Sequence, residues 1–317
     1  MGSKNTNYTI AIFAITPLLF RSIKMYSLIL SILLFMLPLG TKDPEDLKNK
    51  INAELAKNKG IFALAYRNLA SGEEILINEK INFHAASTMK TPVLIEAYKQ
   101  AKAGKFSISD SLIVKNEFKS IVDGSTYTLD SKDDSETELY TKAGKKVKIY
   151  DLLYLMIIQS SNLATNIIID LVGAHNANKT MRELGANDIQ VLRGVEDTKA
   201  YRAGKNNTTT AYDQMLIFSK MAEGHAVDKH SSDAMINILL DQKFNDKIPA
   251  KLPQKVKVAH KTGWITGVNH DAGIVILPDG RKYVLVLLSK ELENDKAAVK
   301  SMAKVSKMIY DYFLRQE

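Results

Sequence analysis

The sequence predicts an α/β protein of the α+β kind, in which one antiparallel sheet of about five strands is flanked by terminal helices and joined to an all-helical subdomain. Strand patterns occur only near the two ends of residues 43–317, and the stretch between them is mainly helical in pattern. We therefore expect residues 43–86 and 242–317 to form the α/β part and residues 87–241 the helical part. The active site is expected in the cleft where the two parts meet.

Five short apolar segments carry the strand patterns. The first two, GIFALAYRNL and EEILINE, are separated by Ala-Ser-Gly, which is typical of an antiparallel hairpin. Three more follow near the C-terminus, in KVKVAHKTG, HDAGIVILPDG and KYVLVLLS, with a Pro-Asp-Gly turn before the last. Together they predict the five strands.

Helical spacing of apolar residues marks the remaining elements. DPEDLKNKINAELAKN places Leu47, Ile51 and Leu55 on one face, and a terminal helix is expected from about Glu291. The middle of the chain carries the same spacing in IYDLLYLMIIQ, LATNIIIDLVG and NKTMRELG. The long polar stretch at 122–146 predicts a surface excursion.

Composition excludes several classes of function. The chain has 317 residues, 45% hydrophobic and 25% charged, which is ordinary for a globular protein. Its net charge of +8 is not gathered into a basic stripe with aromatic residues, so we expect no nucleic-acid partner. There is no cysteine, and the six histidines show no metal-ligand spacing, so we expect no disulfide, thiol chemistry, metal or cofactor. A monomer is expected because no interaction stripe stands out.

Residues 1–40 have the composition of an export signal. Two apolar runs, at 8–20 and 25–40, flank the basic segment at 21–24. The second half alone has the charged and apolar regions of a signal peptide, so Met25 is a candidate start. We expect export to the periplasm. Because the cleavage site is poor, retention as a membrane anchor is the alternative.

The first candidate for chemistry is the string S-x-x-K at Ser87 and Lys90. Positions i and i+3 share a helix face, so the hydroxyl and the amine would lie side by side. A second copy exists at Ser301 and Lys304, in a helical segment that carries a buried apolar stripe. We expect this copy to lie on the solvated face beside that stripe. The string therefore needs support from elsewhere in the chain.

Two other polar strings offer that support. SSN at 160–162 lies between two helical segments, where helix capping is the alternative interpretation. KTG at 261–263 ends a predicted strand just before Trp264, where an edge-strand turn is the alternative. Gly263 would let a ligand approach the backbone closely.

The order S-x-x-K, S-x-N, K-T-G resembles that of the class A serine β-lactamases, which belong to the penicillin-recognising serine enzymes. The segment VLRGVEDTKAYRAGKNNTTTAYDQ is similar to the Ω-loop of that family and the helix start that follows it. The resemblance covers nearly all of residues 43–317. It implies a β-lactam substrate, an acyl-enzyme intermediate and no cofactor.

By this resemblance, five residues would carry the catalysis. Ser87 would attack the lactam carbonyl, and Lys90 would exchange its proton, because burial or a neighbouring cation can lower the pKa of that amine, and Lys261 would be that cation. Ser160 would relay a proton to the departing nitrogen. Glu196 would activate the water that releases the acyl group.

Further residues would bind the substrate. The resemblance implies that Asn162 bonds its side-chain amide and that the backbone N–H groups of Ser87 and Trp264 form the oxyanion hole. Lys261 and Thr262 would hold its carboxylate.

Three positions depart from the family pattern. Ser161 replaces the usual aspartate, so a buried hydrogen bond must be made differently. Ala200 replaces an asparagine that helps hold the hydrolytic water. His270, a candidate for binding the substrate, stands where an arginine often assists carboxylate binding. Two other functions therefore stay open: a cell-wall peptidase or esterase, and a penicillin-binding sensor that stays acylated.

Overall fold

The structure is a computed structural model that describes residues 1–3 and 43–316. The predicted signal peptide or anchor lies almost wholly outside the described residues. The chain separates into units of residues 1–41 and 42–317, and the second unit is described here. Among the helices that are described, none combines the length and the apolar character needed to cross a membrane.

A five-stranded antiparallel sheet forms the centre of the α/β part. Its strands are β1 Ile61–Asn68, β2 Glu74–Ile77, β3 Lys257–Ile265, β4 Val268–Ile276 and β5 Lys282–Lys290. The order across the sheet is β2-β1-β5-β4-β3, so β3 lies at an edge. The predicted sheet is confirmed in strand number and direction.

Helices supply most of the remaining described chain. They are α1 Pro44–Leu55, α2 Lys90–Lys102, α3 Ile149–Ile158, α4 Asn162–Val172, α5 Ala174–Glu183, α6 Thr198–Arg202, α7 Ala211–Ala222, α8 Lys229–Leu240 and α9 Asp295–Phe313. Short 3₁₀ turns occur at Ala86–Met89, Ser131–Asp133, Glu138–Lys142 and Pro249–Lys251.

The predicted helical part is not purely helical. Two short antiparallel ladders lie in it, joining Ser111–Ile113 to Lys146–Lys148 and Phe118–Lys119 to Thr126–Tyr127. A third joins Phe83–His84 to Thr208–Thr209 and so links the two parts of the unit. Such two- and three-residue strands carry too little periodicity to be predicted from sequence.

Both faces of the sheet are buried, which explains why its strands are continuous apolar runs. Along β5, Val284 and Val286 face the core shared with the helical part, whereas Leu285 and Leu287 face α1 and α9. Side chains alternate between the faces of a strand, so a strand covered on both sides is apolar at every position.

The polar stretch at 122–146 is only partly a surface excursion. Most of its residues are exposed, but Leu139 is fully buried, and the carboxylate-bearing residues Asp134 and Glu136 are only 8% and 5% exposed. Two acids buried in a polar segment indicate that it is anchored to the unit.

Candidate active site

Ser87 lies in the 3₁₀ turn Ala86–Met89, which leads directly into α2. Ala86 has a φ of 44°, a left-handed conformation that is unfavourable for alanine. Two residues of the predicted site, Ser160 and Glu196, also have a positive φ, of 59° and 61°. Backbone strain of this kind concentrates at functional sites. The Ser87 side chain is half-buried and makes no hydrogen bond to any residue that the structure describes.

Lys90 is fully buried beneath Ser87 and contacts the SSN turn. Its Nζ donates to the carbonyl of Ser160 at 2.5 Å, to Ser160 Oγ at 3.1 Å and to Asn162 Oδ1 at 3.1 Å. Burial lowers the pKa of this amine to about 7, although Asp134 and Glu196 act to raise it. Of the two causes expected from the sequence, burial and a neighbouring cation, burial is the main one.

Lys261 approaches the same hydroxyl from β3. Its Nζ donates to Ser160 Oγ at 3.1 Å and to the carbonyl of Thr262 at 2.8 Å. Burial, and then the charge of Lys90, lower its pKa well below the usual value. Two buried amines therefore share one serine hydroxyl, an arrangement through which a proton can move.

Gly263 lets β3 lie directly against the turn that carries Ser87. A Cβ at this position would be 3.1 Å from the backbone nitrogen of Ser87 and 3.2 Å from that of Thr88. Those contacts are to backbone and cannot easily yield. The sequence predicted that a ligand would approach the backbone of Gly263 closely. In the structure, the turn that carries Ser87 makes this close approach.

The backbone N–H of Trp264 faces the open edge of the sheet. Residues 266 and 267 form a two-residue turn, so Ile265 and Val268 are a hydrogen-bonded pair and the next pair, Trp264 and Asn269, is not. The contacts of Asn269 are consistent with this pairing, because its backbone N–H and carbonyl face away from Trp264 and contact Ser289 on β5. This N–H is thus available beside Ser87, as an oxyanion hole requires. The Trp264 ring is 62% exposed.

Glu196 approaches from the other side of the cleft through Asn162. Asn162 Nδ2 donates to Glu196 Oε1 at 3.4 Å, while Asn162 Oδ1 accepts from Lys90. Although the residue is exposed, partial removal of its carboxylate from water raises its pKa, and the charge of Asp133 raises it further. A raised pKa makes a carboxylate a stronger base.

The loop that carries Glu196 is held by side chains that were not predicted from sequence. Asn166 on α4 accepts from the N–H of Val195 at 2.7 Å and donates to its carbonyl at 3.0 Å. Asp197 accepts from Ser120 Oγ at 2.9 Å. Asn166 lies one helical turn after Asn162, and that i+4 spacing is the signal that was missed. Ala200 is buried on α6 and offers no polar side chain to a water.

A cavity of about 780 Å³ opens over these residues. It is lined by seven predicted residues, namely Ser87, Ser160, Asn162, Glu196, Thr262, Gly263 and Trp264. A second cavity, of about 360 Å³, continues from Ser87 along the loop of Glu196 toward Tyr201 and His84. Ser87 therefore lies where the two cavities meet.

Lys247 is a cation of the larger cavity that sequence reasoning missed. Its residue is only 4% exposed, and its Nζ lies 2.9 Å from Asp246 Oδ1. It belongs to the irregular segment between α8 and β3, where no local pattern distinguishes it from other surface lysines.

The structure does not bring His270 into the cleft. This residue is fully buried and lines neither cavity. Its Nε2 lies 2.8 Å from the carbonyl of His84, and its Nδ1 accepts from the N–H of Ser289 at 3.2 Å. Burial lowers the pKa of its imidazole to about 4. The predicted contact with substrate is corrected to a role in packing, because this neutral ring is sealed from the cavity.

No group of three or more histidine or acidic side chains in the described part of the chain is placed to hold a metal ion.

Known proteins resemble this chain over nearly all of the described unit. Residues 46–313 match the sequence profile of the β-lactamase enzyme family. The β-lactamase VEB-1 of Pseudomonas aeruginosa is 23% identical over 93% of this chain and 100% of its own length. A β-lactamase of Bacteroides uniformis is 25% identical over 84% of this chain and 90% of its own length.

Solved structures agree with these relatives. A β-lactamase from Sphaerobacter thermophilus superposes with a TM-score of 0.73 at 25% identity, over 86% of this chain and 97% of its own. The cleft brings Lys90, Ser160, Asn162 and Lys261 into contact, and the profile match spans most of the chain. The chain therefore belongs to the β-lactamase enzyme family and is a serine β-lactamase of the class A type.

Proposed function

We propose that the protein hydrolyses the amide bond of β-lactams through an ester of Ser87. The observation that carries this proposal is the position of Ser160 Oγ, which lies 3.1 Å from the amines of both Lys90 and Lys261. The unbonded hydroxyl of Ser87 opens onto the same cavity. The names of the relatives support the choice of substrate.

Acylation begins with a proton transfer. With a pKa of about 7, a substantial fraction of Lys90 is neutral near pH 7, and its lone pair takes the proton of Ser87 Oγ as the oxygen attacks the carbonyl carbon. The negative oxygen that develops accepts hydrogen bonds from the N–H groups of Ser87 and Trp264. Loss of one such donor typically costs about 3 kcal/mol of transition-state stabilisation.

Ring opening needs a proton on the departing nitrogen. Ser160 Oγ donates it as the carbon–nitrogen bond breaks, and the proton gained by Lys90 replaces it through their 3.1 Å contact. Lys261 stabilises the same hydroxyl oxygen from the opposite side. Ser87 is then left as an ester.

Deacylation uses the other wall of the cleft. Glu196 takes a proton from a water molecule, whose oxygen attacks the ester carbon, and the ester bond to Ser87 breaks. Ser87 Oγ regains a proton from the lysine and serine pair, and the proton that Glu196 took from water replaces it, so that all the groups return to their starting state. The raised pKa of Glu196 favours this role as base.

The substrate carboxylate would lie at the β3 side of the larger cavity. Thr262 lines this side, while the amine of Lys261 is fully buried behind it. Lys247 also lines this cavity, where its amine is paired with the carboxylate of Asp246.

The deciding experiment is hydrolysis of nitrocefin by the purified protein and its Ser87→Ala variant, with Ser301→Ala as the matched control. We expect turnover in the parent and in the Ser301 variant and none in the Ser87 variant. Mass spectrometry after exposure to penicillin should show a transient adduct on Ser87. A permanent adduct without turnover would instead indicate a penicillin-binding sensor, and no reaction with any lactam would indicate a peptidase or esterase.

We also propose that the protein is exported to the periplasm as a monomer, with residues 1–40 as a signal peptide or a retained anchor. The composition of that segment supports this. N-terminal sequencing of the protein from fractionated cells tests it. A soluble periplasmic product beginning after residue 40 would establish cleavage, and an intact membrane-bound product would establish the anchor.

A further inference from the structure

Asp134 is a buried carboxylate that neither the motif order nor the proposed mechanism uses. It is 8% exposed and belongs to the polar stretch at 122–146. Its Oδ2 accepts from the backbone N–H groups of Asn162 at 2.8 Å and Leu163 at 3.0 Å. It also accepts from the hydroxyl of Tyr140 at 2.9 Å.

These contacts complete the start of α4. The first N–H groups of a helix have no partner within the helix. The side chain of Ser161, the residue before α4, accepts from the N–H of Ala164 at 3.2 Å. The N–H groups of Asn162 and Leu163 depend on Asp134, whose negative charge is also favoured at a helix N-terminus.

Asn162 and Ser160 flank the turn that this carboxylate holds. The carbonyl and hydroxyl of Ser160 and the amide oxygen of Asn162 are all three acceptors of the Lys90 amine. A shift of this turn would change all three contacts together. The hydroxyl of Ser161 lies 3.5 Å from Asp134 Oδ2, so a carboxylate carried by residue 161 would reach the same region.

We propose that Asp134 is a positioning residue for catalysis: it holds Ser160 and Asn162 against Lys90 and supplies the carboxylate that residue 161 lacks. This inference rests on the proposed function of the cleft. It makes the polar stretch at 122–146 part of the catalytic apparatus rather than a surface insertion.

The charge of Asp134 has a second effect that a purely structural side chain would not have. Lys90 faces two carboxylates, Asp134 and Glu196, and one cation, Lys261. Both carboxylates raise the pKa of Lys90 against the effect of burial. Without the Asp134 charge that pKa falls further, so the acid limb of the acylation profile moves to lower pH.

The test compares Asp134→Ala, Asp134→Asn and the double variant Asp134→Ala with Ser161→Asp. Asp130→Asn is the matched control, because this exposed acid of the same segment accepts from the N–H of Lys132 within its own turn. We expect Asp134→Ala to lower kcat/KM for nitrocefin by about 10- to 100-fold, mainly through kcat, since misplacement of reacting groups affects the chemical step. The double variant should recover most of this loss, and the control should match the parent.

Asp134→Asn separates position from charge. It keeps an oxygen acceptor, so its loss in kcat/KM should be smaller, while its acid limb should move to lower pH. Parent-like kcat/KM and an unshifted acid limb in both single variants would overturn the inference. If Asp134→Ala fails to fold, the acid limb of Asp134→Asn decides, and an unmoved limb counts against the proposal.

Hydrogen exchange at the amides of Asn162 and Leu163 gives a readout that needs no lactam. We expect protection in the parent, loss of protection in Asp134→Ala and recovery in the double variant. If the parent reacts with no lactam, the proposed function falls, and this exchange pattern alone decides whether Asp134 holds the turn. Unchanged protection in Asp134→Ala would then overturn the inference.

Discussion

The chain contains the string S-x-x-K twice, each time on a helical segment with a glutamate nearby, and the two copies have opposite electrostatics. The second copy lies on α9, where Glu54 of the neighbouring helix α1 accepts from Ser301 at 3.0 Å and from Lys304 at 2.8 Å. Burial of Glu54 acts to raise its pKa, but hydrogen bonds from Lys304, Lys57 and Ser301 prevail and lower it to about 2. The serine and the lysine of this copy are therefore both bonded to the carboxylate of Glu54.

In the cleft, the lysine and the glutamate do not touch. Asn162 lies between Lys90 and Glu196 and bonds both, and the hydroxyl of Ser87 is left without a partner in the described structure. Burial lowers the pKa of Lys90 while it raises that of Glu196, so both move toward neutrality. The difference shows that reactivity comes from keeping opposite charges apart in a desolvated site, and not from the string itself.

The largest effect on activity is expected when the lysine of the cleft copy is replaced and compared with the lysine of the α9 copy. Lys90→Ala removes the acceptor of the serine proton and should lower the acylation rate by about 10²- to 10⁴-fold, as measured by stopped-flow with nitrocefin. Lys304→Ala should leave acylation unchanged and lower only the midpoint of thermal unfolding, because it removes a partner of buried Glu54. Equal losses of activity in the two variants would remove the distinction between the copies.

The two glutamates should differ in the same way. Glu196→Gln should acylate normally but release product about 10²- to 10³-fold more slowly, so that mass spectrometry shows the adduct accumulating. Parent-like turnover would show that the base has been wrongly assigned.

Glu54→Gln is the matched variant and should keep full turnover while losing stability. Because the folded-state pKa of Glu54 is lowered, its stabilising contribution is present above its ordinary value of 4.5 and is lost as the pH falls toward about 2. Unfolding measured across that window should depend less on pH in the variant than in the parent.

The last prediction concerns how the acylation rate depends on pH. Acylation needs the neutral amine of Lys90, so its rate should rise about tenfold per pH unit and level off near the pKa of about 7. An acid limb that kept rising toward the ordinary lysine value of about 10.4 would show that burial does not set this pKa.

Much of the fold was predictable because its signals are local. The apolar runs of β1, β4 and β5 and the helical spacing in α1, α3 and α4 report burial directly, since a face that is covered must be apolar. Turn residues predicted the hairpin of β1 and β2 and the turn between β4 and β5, whereas the pairing of β1 with β5 joins segments far apart in the chain and was not predicted. The two short ladders of the helical part escaped prediction because two or three residues contain no usable period.

The order of three polar strings also indicated which distant residues would meet. The structure brings Ser87, Lys90, Ser160, Asn162 and Lys261 together, with Glu196 on the facing wall. His270 shows the limit of such reasoning. In the structure it lies opposite Gly263 in the register of β3 and β4, but its ring is buried and bonded to the carbonyl of His84, which the sequence did not indicate.

The sequence by itself determined the family, the sheet and the identity of the groups that meet at Ser87. Each motif and each apolar period is carried by residues close together in the chain, and the order of the motifs can be read along it. Only the tertiary structure decided how those groups behave. The lowered pKa of Lys90, the cation of Lys247 and the hold of Asp134 on α4 all arise from burial and from contacts between segments far apart in the chain. Desolvation depends on everything that surrounds a group, and no local pattern records it.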